Sequence, residues 1–311
     1  MKKLAVLIPV LNESQRVETV IAGLHEIQSK LISSGIQVLM VLIDDGSQDH
    51  SFDAFEKKLR EERIRAKLIR FSRNFGKDSA VFAGMQEMEA DFYVIVDADG
   101  QTPFSLVPEM FRCSEREKVD VVYAVKEQEP YHWLRRSLTA IFFFLARKLG
   151  IRELKKGSSD FMLFSRSVRD RILLLQEKGL VIRNLVRWLG IDFREIAFKP
   201  GESDVSAFTF KKLFMLGVRS IISFSNILRL NFFIALGYWI FSFFYGILIL
   251  YNKFTGRIVV GLSTMTLLTL ISFGLMFFMI AIIGEYLIIL FEEVKNRPRF
   301  FIDKTIDIEG Q

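Results

Sequence analysis

The chain is nearly devoid of the residues that build redox and transition-metal centres. Its 311 residues include one cysteine, Cys113, which excludes an intramolecular disulfide and any cysteine-built metal site. The three histidines, His25, His50 and His132, are scattered without ligand spacing and are assigned no role. There is no internal repeat, no low-complexity tract and no long linker. Zinc-finger spacing and a recognition helix with interleaved base readers are both missing, so the net charge of +6 does not indicate nucleic acid. It fits positive charge near an anionic membrane surface or around phosphorylated ligands. A secretory signal is not expected either. Lys2 and Lys3 precede only a short apolar run, Leu4–Leu11, which contains Pro9 and meets Asn12 and Glu13 without a small-residue cleavage site. That run reads as a buried strand.

What the chain has in excess is apolar surface. Half of it is hydrophobic while a quarter is charged, a mixture that suits a globular domain joined to membrane segments. Three apolar runs, Leu4–Pro9, Val38–Ile43 and Phe92–Val96, have the length and β-branched character of strands buried on both faces. Helix-like segments, Val17–Leu31, Ser51–Glu62 and Lys77–Met88, lie between them. This alternation predicts an α/β domain with a mostly parallel sheet, in which ligands bind beyond the carboxyl ends of the strands. Asn12 and Glu13, Asp44 and Asp45, and Asp97 and Asp99 all stand at those ends.

The second half reads differently. Two basic, strongly apolar stretches, about Leu134–Leu149 and Phe208–Leu230, have the character of interface helices. Phe232–Tyr251 and Ile258–Gly284 carry no charge and are each long enough to cross a hydrocarbon layer of roughly 30 Å. The expected organisation is a catalytic domain over 1–206, an interface helix over 207–230, a two-helix transmembrane hairpin within 231–290 and a tail over 291–311. Lys211, Lys212, Arg219 and Arg229 precede the hairpin, and Lys295, Arg297, Arg299 and Lys304 follow it, against only Lys253 and Arg257 between the spans. The positive-inside rule then puts the catalytic domain and both termini in the cytoplasm, on an inner-membrane protein.

The strongest chemical signal is Asp97-Ala98-Asp99-Gly100-Gln101, directly after an apolar strand. Two carboxylates one residue apart, with an amide two residues on, suit a hard divalent cation, Mg²⁺ or Mn²⁺, shared with substrate phosphates. An acidic turn would have the same look. In Asp44-Asp45-Gly46-Ser47-x-Asp49 the carboxylates are candidates for ribose or base contacts, while Ser47 and Asp49 suit capping of the next helix. Pro9-x-x-Asn12-Glu13 is placed beside the same nucleotide.

Taken together, Ile8-Pro9-Val10-Leu11-Asn12-Glu13, Ile43-Asp44-Asp45-Gly46-Ser47, Ser72-Arg73-Asn74-Phe75-Gly76-Lys77 and Asp97-Ala98-Asp99-Gly100-Gln101-x-Pro103 resemble the inverting family 2 glycosyltransferases. The likeness is to their polyprenyl-phosphate branch, which includes bactoprenol glucosyltransferases and relatives of dolichol-phosphate mannose synthase. Ile222-Ser223-Phe224-Ser225, Gly284-Glu285-Tyr286 and Glu292–Pro298 extend it over nearly the whole chain. The resemblance implies a GT-A-like (Rossmann-like) fold, a nucleotide-diphosphate-sugar donor, with a UDP-sugar expected, and an undecaprenyl-phosphate-like acceptor. It implies Asp97, Asp99 and Gln101 around the metal, and Pro9, Asn12, Glu13, Asp44, Asp45 and Lys77 near the donor. Asp160 becomes the candidate base or acceptor-positioning group. Arg73, Arg135 and Arg136 are candidates for the acceptor phosphate. A homo-oligomer is compatible with all of this.

Two departures stand out. Met162 replaces the arginine that relatives carry after the Asp-Phe pair, and Gly201–Phe208 is a degraded form of a basic, serine-containing stretch. Three other readings remain open: a catalytically silent nucleotide-sugar-binding protein, a processive synthase suggested by the half-matched Asn184-Leu185-Val186-Arg187-Trp188, and transfer to a diacylglycerol-type lipid.

Overall fold

The computed structural model describes residues 1–127, 158–175, 181–199, 227–255, 262–295 and 297–309. The chain divides into two units. One comprises Met1–Tyr131, Glu153–Ala207 and Arg297–Gln311, and the other His132–Arg152 and Phe208–Asn296.

In the first unit, the apolar runs become the central strands β1 (Lys2–Val10), β2 (Ile36–Asp44) and β4 (Phe92–Ile95). Between β2 and β4 stands β3 (Ala66–Phe71), and β5 (Val121–Lys126), β6 (Ser158–Ser165), β7 (Phe193–Phe198) and β8 (Ile302–Ile308) complete an eight-stranded sheet among the described residues. Its order is β7-β5-β6-β4-β1-β2-β3-β8. Strands β4, β1, β2 and β3 pair in parallel, as do β5 and β7, whereas β6 runs against β4 and β5 and β8 runs against β3.

The period of two along β1 sorts its side chains onto two cores. Leu4, Val6, Ile8 and Val10 join one, with helices α1 (Val17–Ile32), α2 (Ser51–Glu61) and α4 (Val107–Glu117). Ala5 and Leu7 join the other, with α3 (Lys77–Glu87), α5 (Arg166–Leu174) and α6 (Ile182–Trp188). Helix α3 lies close on the sheet because its inner face is small. A Cβ on Gly84 would stand 3.0 Å from the tips of both Leu7 and Ile43. Burying each large aliphatic side chain contributes about 1.5–3 kcal/mol, so the two cores hold the sheet from both sides.

The expected α/β class is correct, and the three early helices fall within a residue of the expected bounds. Five strands were not anticipated. Strand β3 reads Ala-Lys-Leu-Ile-Arg-Phe, where Lys67 and Arg70 break the apolar run, and β8 alternates isoleucine with Asp303, Lys304 and Asp307. The stretch expected to be a tail over 291–311 therefore supplies an edge strand. Its charges suit a position at the rim of the sheet, where they discourage pairing with other chains.

The second unit contains two long helices, α7 (Ile227–Phe254) and α8 (Leu262–Val294). Large apolar side chains are exposed along both, among them Trp239, Phe243 and Phe244 on α7 and Phe273, Phe277 and Phe278 on α8. Within the unit the Tyr238 and Ser272 hydroxyls meet between the two helices. Among the described residues one stretch, Leu268–Ile288, is long and apolar enough to cross a membrane, and a shorter apolar stretch covers Gly237–Leu248. The expected span Phe232–Tyr251 is helical throughout, while positions 258–261 of the second lie outside the described residues. So do the stretch about Leu134–Leu149 with Arg135 and Arg136, residues 208–226, and Gly201–Phe208.

The turn after β2 tests the backbone directly. Gly46 has φ +73°, and a Cβ there would lie 2.5 Å from the carbonyl carbon of Arg73, whereas Gly35, with φ +72°, has open space around it. Both alanine substitutions incur left-handed strain of about 1–2 kcal/mol, but only Gly46→Ala also pushes backbone against backbone. Thermal unfolding of the full chain in detergent should show a clearly larger loss for Gly46→Ala than for Gly35→Ala. Equal losses would contradict the close approach.

Candidate active site

Because β1, β2, β3, β4 and β5 share one direction, their carboxyl ends lie on one edge of the sheet, where β6 and β8 begin. On that edge the chain assembles a polar cluster. Asp97 follows β4. The antiparallel register pairs Ile95 with Met162, so two residues further along each strand Asp97 and Asp160 stand beside one another. Lys77, the first residue of α3, reaches between them, with Nζ 2.5 Å from Asp97 Oδ1 and 3.1 Å from Asp160 Oδ2. On its other side Asp160 is met by Arg183 of α6, whose Nη1 is 3.0 Å from Oδ1.

The electrostatics follow from this arrangement. Burial works against the charge on Lys77, but Asp97 and Asp160 outweigh it and lift the ammonium above its ordinary range. Burial likewise opposes ionisation of Asp160, yet Lys77 and Arg183 hold its carboxyl below the usual carboxylate range. Asp97 goes the other way: burial raises it, Lys77 only partly offsets this, and Asp160 and Asp99 add repulsion. Glu13 is raised by burial and by Asp99, Asp49 and Asp97, against the opposing effect of Arg16, whose Nε lies 3.1 Å from its Oε2. Glu13, Asp97 and Asp99 therefore lie within electrostatic reach of one another.

Asp99 accepts the Gln101 N–H at 2.9 Å, and Gln101 turns its Oε1 to the Lys126 ammonium at 2.7 Å. Among the described residues no group of three or more His, Cys, Asp or Glu side chains is disposed to enclose a metal. The pair Asp97 and Asp99 still fits a hard cation that takes most of its shell from substrate phosphates and water. Gln101 would join it only by exchanging Lys126 for the ion.

Other expected donor residues serve the loops. Asp45, 2% exposed, accepts the N–H groups of Phe75 and Gly76 at 2.7 and 2.9 Å. Burial raises its carboxyl, and those two hydrogen bonds oppose the rise. Asp44 points into the opposite core. It accepts the Ser47 N–H at 3.0 Å, faces Arg70 at 3.6 Å, and borders a void of about 10 Å³ that has no room for a nucleoside. Asn12 donates its N–H to Ser47 Oγ and accepts from Gln48 N, each at 2.9 Å. The Ser14 and Ser51 N–H groups both reach Asp49. Against the effect of burial, these bonds and the Ser51 hydroxyl hold Asp49 down to about 2. Ser47 and Asp49 thus latch the first loop to the second. Pro9 is buried in β1 opposite Ile43. Arg73 is exposed and lies over the Phe75 ring at 4.2 Å. Met162 is fully buried in the core.

Three site residues were not anticipated: Arg183, Lys126 and Asp78. Arg183 adjoins the Asn184–Trp188 segment, which drew notice only for a partial motif. Arg187 from that segment is buried against Tyr123, with its guanidinium 4.8 Å from the ring centroid. Lys126 ends β5 and carries no local signal. Asp78 accepts the Ile182 N–H at 2.9 Å, tying α3 to α6, and burial pushes its carboxyl up to about 6 despite that bond.

The comparisons with known proteins give the family and the fold. Residues 5–173 match Glycosyl transferase family 2, more than half of the chain, and the chain belongs to that family. Over 99% of its length it is 29% identical to an uncharacterized glycosyltransferase of Bacillus subtilis, YkcC, covering 95% of that protein. It is 28% identical to the SfII prophage-derived bactoprenol glucosyl transferase of Shigella flexneri, covering 97% of this chain and 98% of the relative. Among solved structures, glucosyl-3-phosphoglycerate synthase of Mycobacterium tuberculosis, in complex with Mn²⁺, UDP and phosphoglyceric acid, superposes with a TM-score of 0.51. It has 17% identity and covers 71% of this chain and 76% of that one. Mannosyl-3-phosphoglycerate synthase of Rubrobacter xylanophilus gives 0.50 at 12% identity, covering 71% and 73%. The fold is GT-A-like and the protein is a glycosyltransferase.

Asp78 gives a pH signature. Its folded pKa is raised from 3.8 to about 6, so the folded chain binds the extra proton between those values and loses stability as pH rises through them. Asp78→Asn keeps the acceptor for Ile182 without the buried charge. Its thermal midpoint relative to the parent should therefore climb between about pH 4 and pH 7 and then level off. A difference independent of pH would remove Asp78 as the responsible group.

Proposed function

We propose that this chain transfers a single sugar, with inversion, from a nucleotide-diphosphate-sugar, a UDP-sugar in this reading, to undecaprenyl or another polyprenyl phosphate at the cytoplasmic face of the membrane. The observation that carries this reading is the Asp97–Lys77–Asp160–Arg183 cluster at the strand ends, in a chain similar over nearly its whole length to bactoprenol glucosyl transferases.

The acceptor phosphate is itself the nucleophile. With a second pKa of about 6, a phosphate monoester is largely dianionic near neutral pH and needs no strong base. Asp160, held low by two cations, is a poor base and a good orienting group. Lys77 supplies a positive charge that can turn from the carboxylates toward the phosphates of a bound donor. Arg183 keeps Asp160 in place as it does so. Asp97 and Asp99 would hold a divalent cation, as the Mn²⁺ present with UDP in the mycobacterial synthase supports, and it would supply charge neutralisation for the departing diphosphate.

The membrane arrangement has support from connectivity. Strands β7 and β8 belong to one sheet, so the chain between them must return to the side from which it left. If α7 and α8 cross a bilayer, they cross it an even number of times, and the positive flanks favour the cytoplasmic side for the sheet. The exposed aromatic and aliphatic faces of both helices support insertion.

Purified full-length protein in detergent or liposomes should transfer sugar to undecaprenyl phosphate from one member of a panel of radiolabelled UDP- and GDP-sugars, with Mg²⁺ or Mn²⁺. The product should vanish with a chelator and fall by at least about 100-fold in Asp99→Ala, while the variant keeps its unfolding midpoint. No product from any donor, with folded protein, would favour a silent nucleotide-sugar-binding protein. Undiminished transfer by Asp99→Ala would refute the metal role.

A further inference from the structure

The residues just before β8 converge on the loop that carries Lys77. Strands β3 and β8 pair regularly from Ala66–Ile308 to Arg70–Lys304, and the register then shifts so that Phe71 meets Ile302. Ahead of that shift, Phe301 accepts the Ser72 N–H on its carbonyl at 3.1 Å. The Phe300 ring stacks on Phe71 with centroids 4.9 Å apart and planes 8° from parallel. Phe71 in turn meets Phe75 edge-on at 5.8 Å, and Phe301 lies 6.2 Å from the same Phe75 ring. Arg299 lies over Phe82 of α3 at 4.0 Å and donates from Nη2 to the Leu175 carbonyl at 2.7 Å.

Three consecutive residues thus hold the entrance of the 72–76 loop through Phe71 and Ser72, meet Phe75 within it, and brace α3, whose first residue is Lys77, through Phe82. From the opposite side Asp45 holds the same loop by the Phe75 and Gly76 amides. Pairing β8 at the edge of the sheet requires none of these contacts.

The geometry points to Arg299, Phe300 and Phe301 as positioning residues. They act through Phe71, Ser72, Phe75 and Phe82 to hold the 72–76 loop in the form that sets Lys77 between Asp97 and Asp160. Only the kinetic part of this inference rests on the proposed transfer reaction.

Hydrogen exchange on the full chain in detergent separates a positioning strap from a merely stabilising strand. In Phe300→Ala, peptides spanning 72–77 should exchange about tenfold faster, the scale of a lost aromatic pair. Peptides from β1 and β4 should be unchanged. Ile306→Ala, at the far end of β8 opposite Leu68, should leave 72–77 as in the parent even if it lowers the unfolding midpoint as much. Phe300→Tyr should restore slow exchange. Phe301→Ala, at a position 55% exposed, provides a second variant that spares the core, and it should also quicken 72–77. The transfer kcat should drop about tenfold in Phe300→Ala and recover in Phe300→Tyr, with Ile306→Ala near the parent. Equal quickening of 72–77 by the Phe300 and Ile306 variants, or by neither Phe300→Ala nor Phe301→Ala, would overturn the inference. Exchange is read whether or not transfer is detected, so missing transfer counts against the reaction and unchanged exchange counts against the strap.

Discussion

The site depends on one ammonium group shared between two carboxylates that come from different parts of the sheet. Asp97 follows the parallel strand β4 and Asp160 lies near the start of the antiparallel β6, so their proximity exists only because β6 runs against β4 in the observed register. Two carboxylates brought together in this way repel, and Lys77 is the group that makes the arrangement tolerable. Arg183 completes the balance from α6. Remove the ammonium, and both carboxylates must take up protons, recruit another cation or move apart. The same property suits the site to a substrate whose own charges are phosphates, since a cation held by exchangeable partners can be redirected.

Keeping Lys77 at that point requires a stiff loop, and the structure stiffens it with groups that the proposed chemistry does not use. Asp45 closes the loop from beneath, the Gly46 turn leaves space for the Arg73 backbone, and Asp78 joins α3 to α6. Asp45 and Asp78 are carboxylates whose burial is unfavourable by itself. Their backbone hydrogen bonds offset part of that cost. An acidic sequence motif at a strand end is thus divided between ligand-facing and loop-holding members. In the proposed reading Asp97 and Asp99 take the first role, while Asp44 and Asp49 take the second and Asp45 grips a turn beside the site.

Local sequence carried much of this and missed the rest for physical reasons. The central strands were legible because burial on both faces demands continuous apolar runs, and their ends therefore marked the site edge. Strands β3 and β8 were not, because β3 carries the half-buried Lys67 and Arg70 within its apolar run and β8, at the rim, admits Asp303. Asp160 was found through a motif, but its partner Arg183 was not. An arginine on a short helix looks the same whether it faces water or a carboxylate 23 residues earlier. The division of labour within Asp44-Asp45 was hidden as well, since the pleat that sends neighbouring side chains to opposite faces gives no sign of which face holds the ligand.

The two directions of charge perturbation at Asp97 and Asp160 also bear on the chemistry. A group intended to remove a proton near neutral pH would have its pKa raised toward 7. Asp160 is moved the other way, by partners that the fold supplies on two sides. Asp97 is the carboxylate left with insufficient compensation, because Lys77 is divided between two partners and Asp99 stands close by. An additional cation would relieve Asp97 and Asp99 together while freeing Lys77. The site is therefore biased before any substrate arrives: one carboxylate is satisfied and orienting, and the neighbouring pair still lacks positive charge. A donor bringing diphosphate together with its cation would meet that deficit, whereas the bare diphosphate would add to the repulsion. On this charge balance alone, donor and cation should bind as a unit.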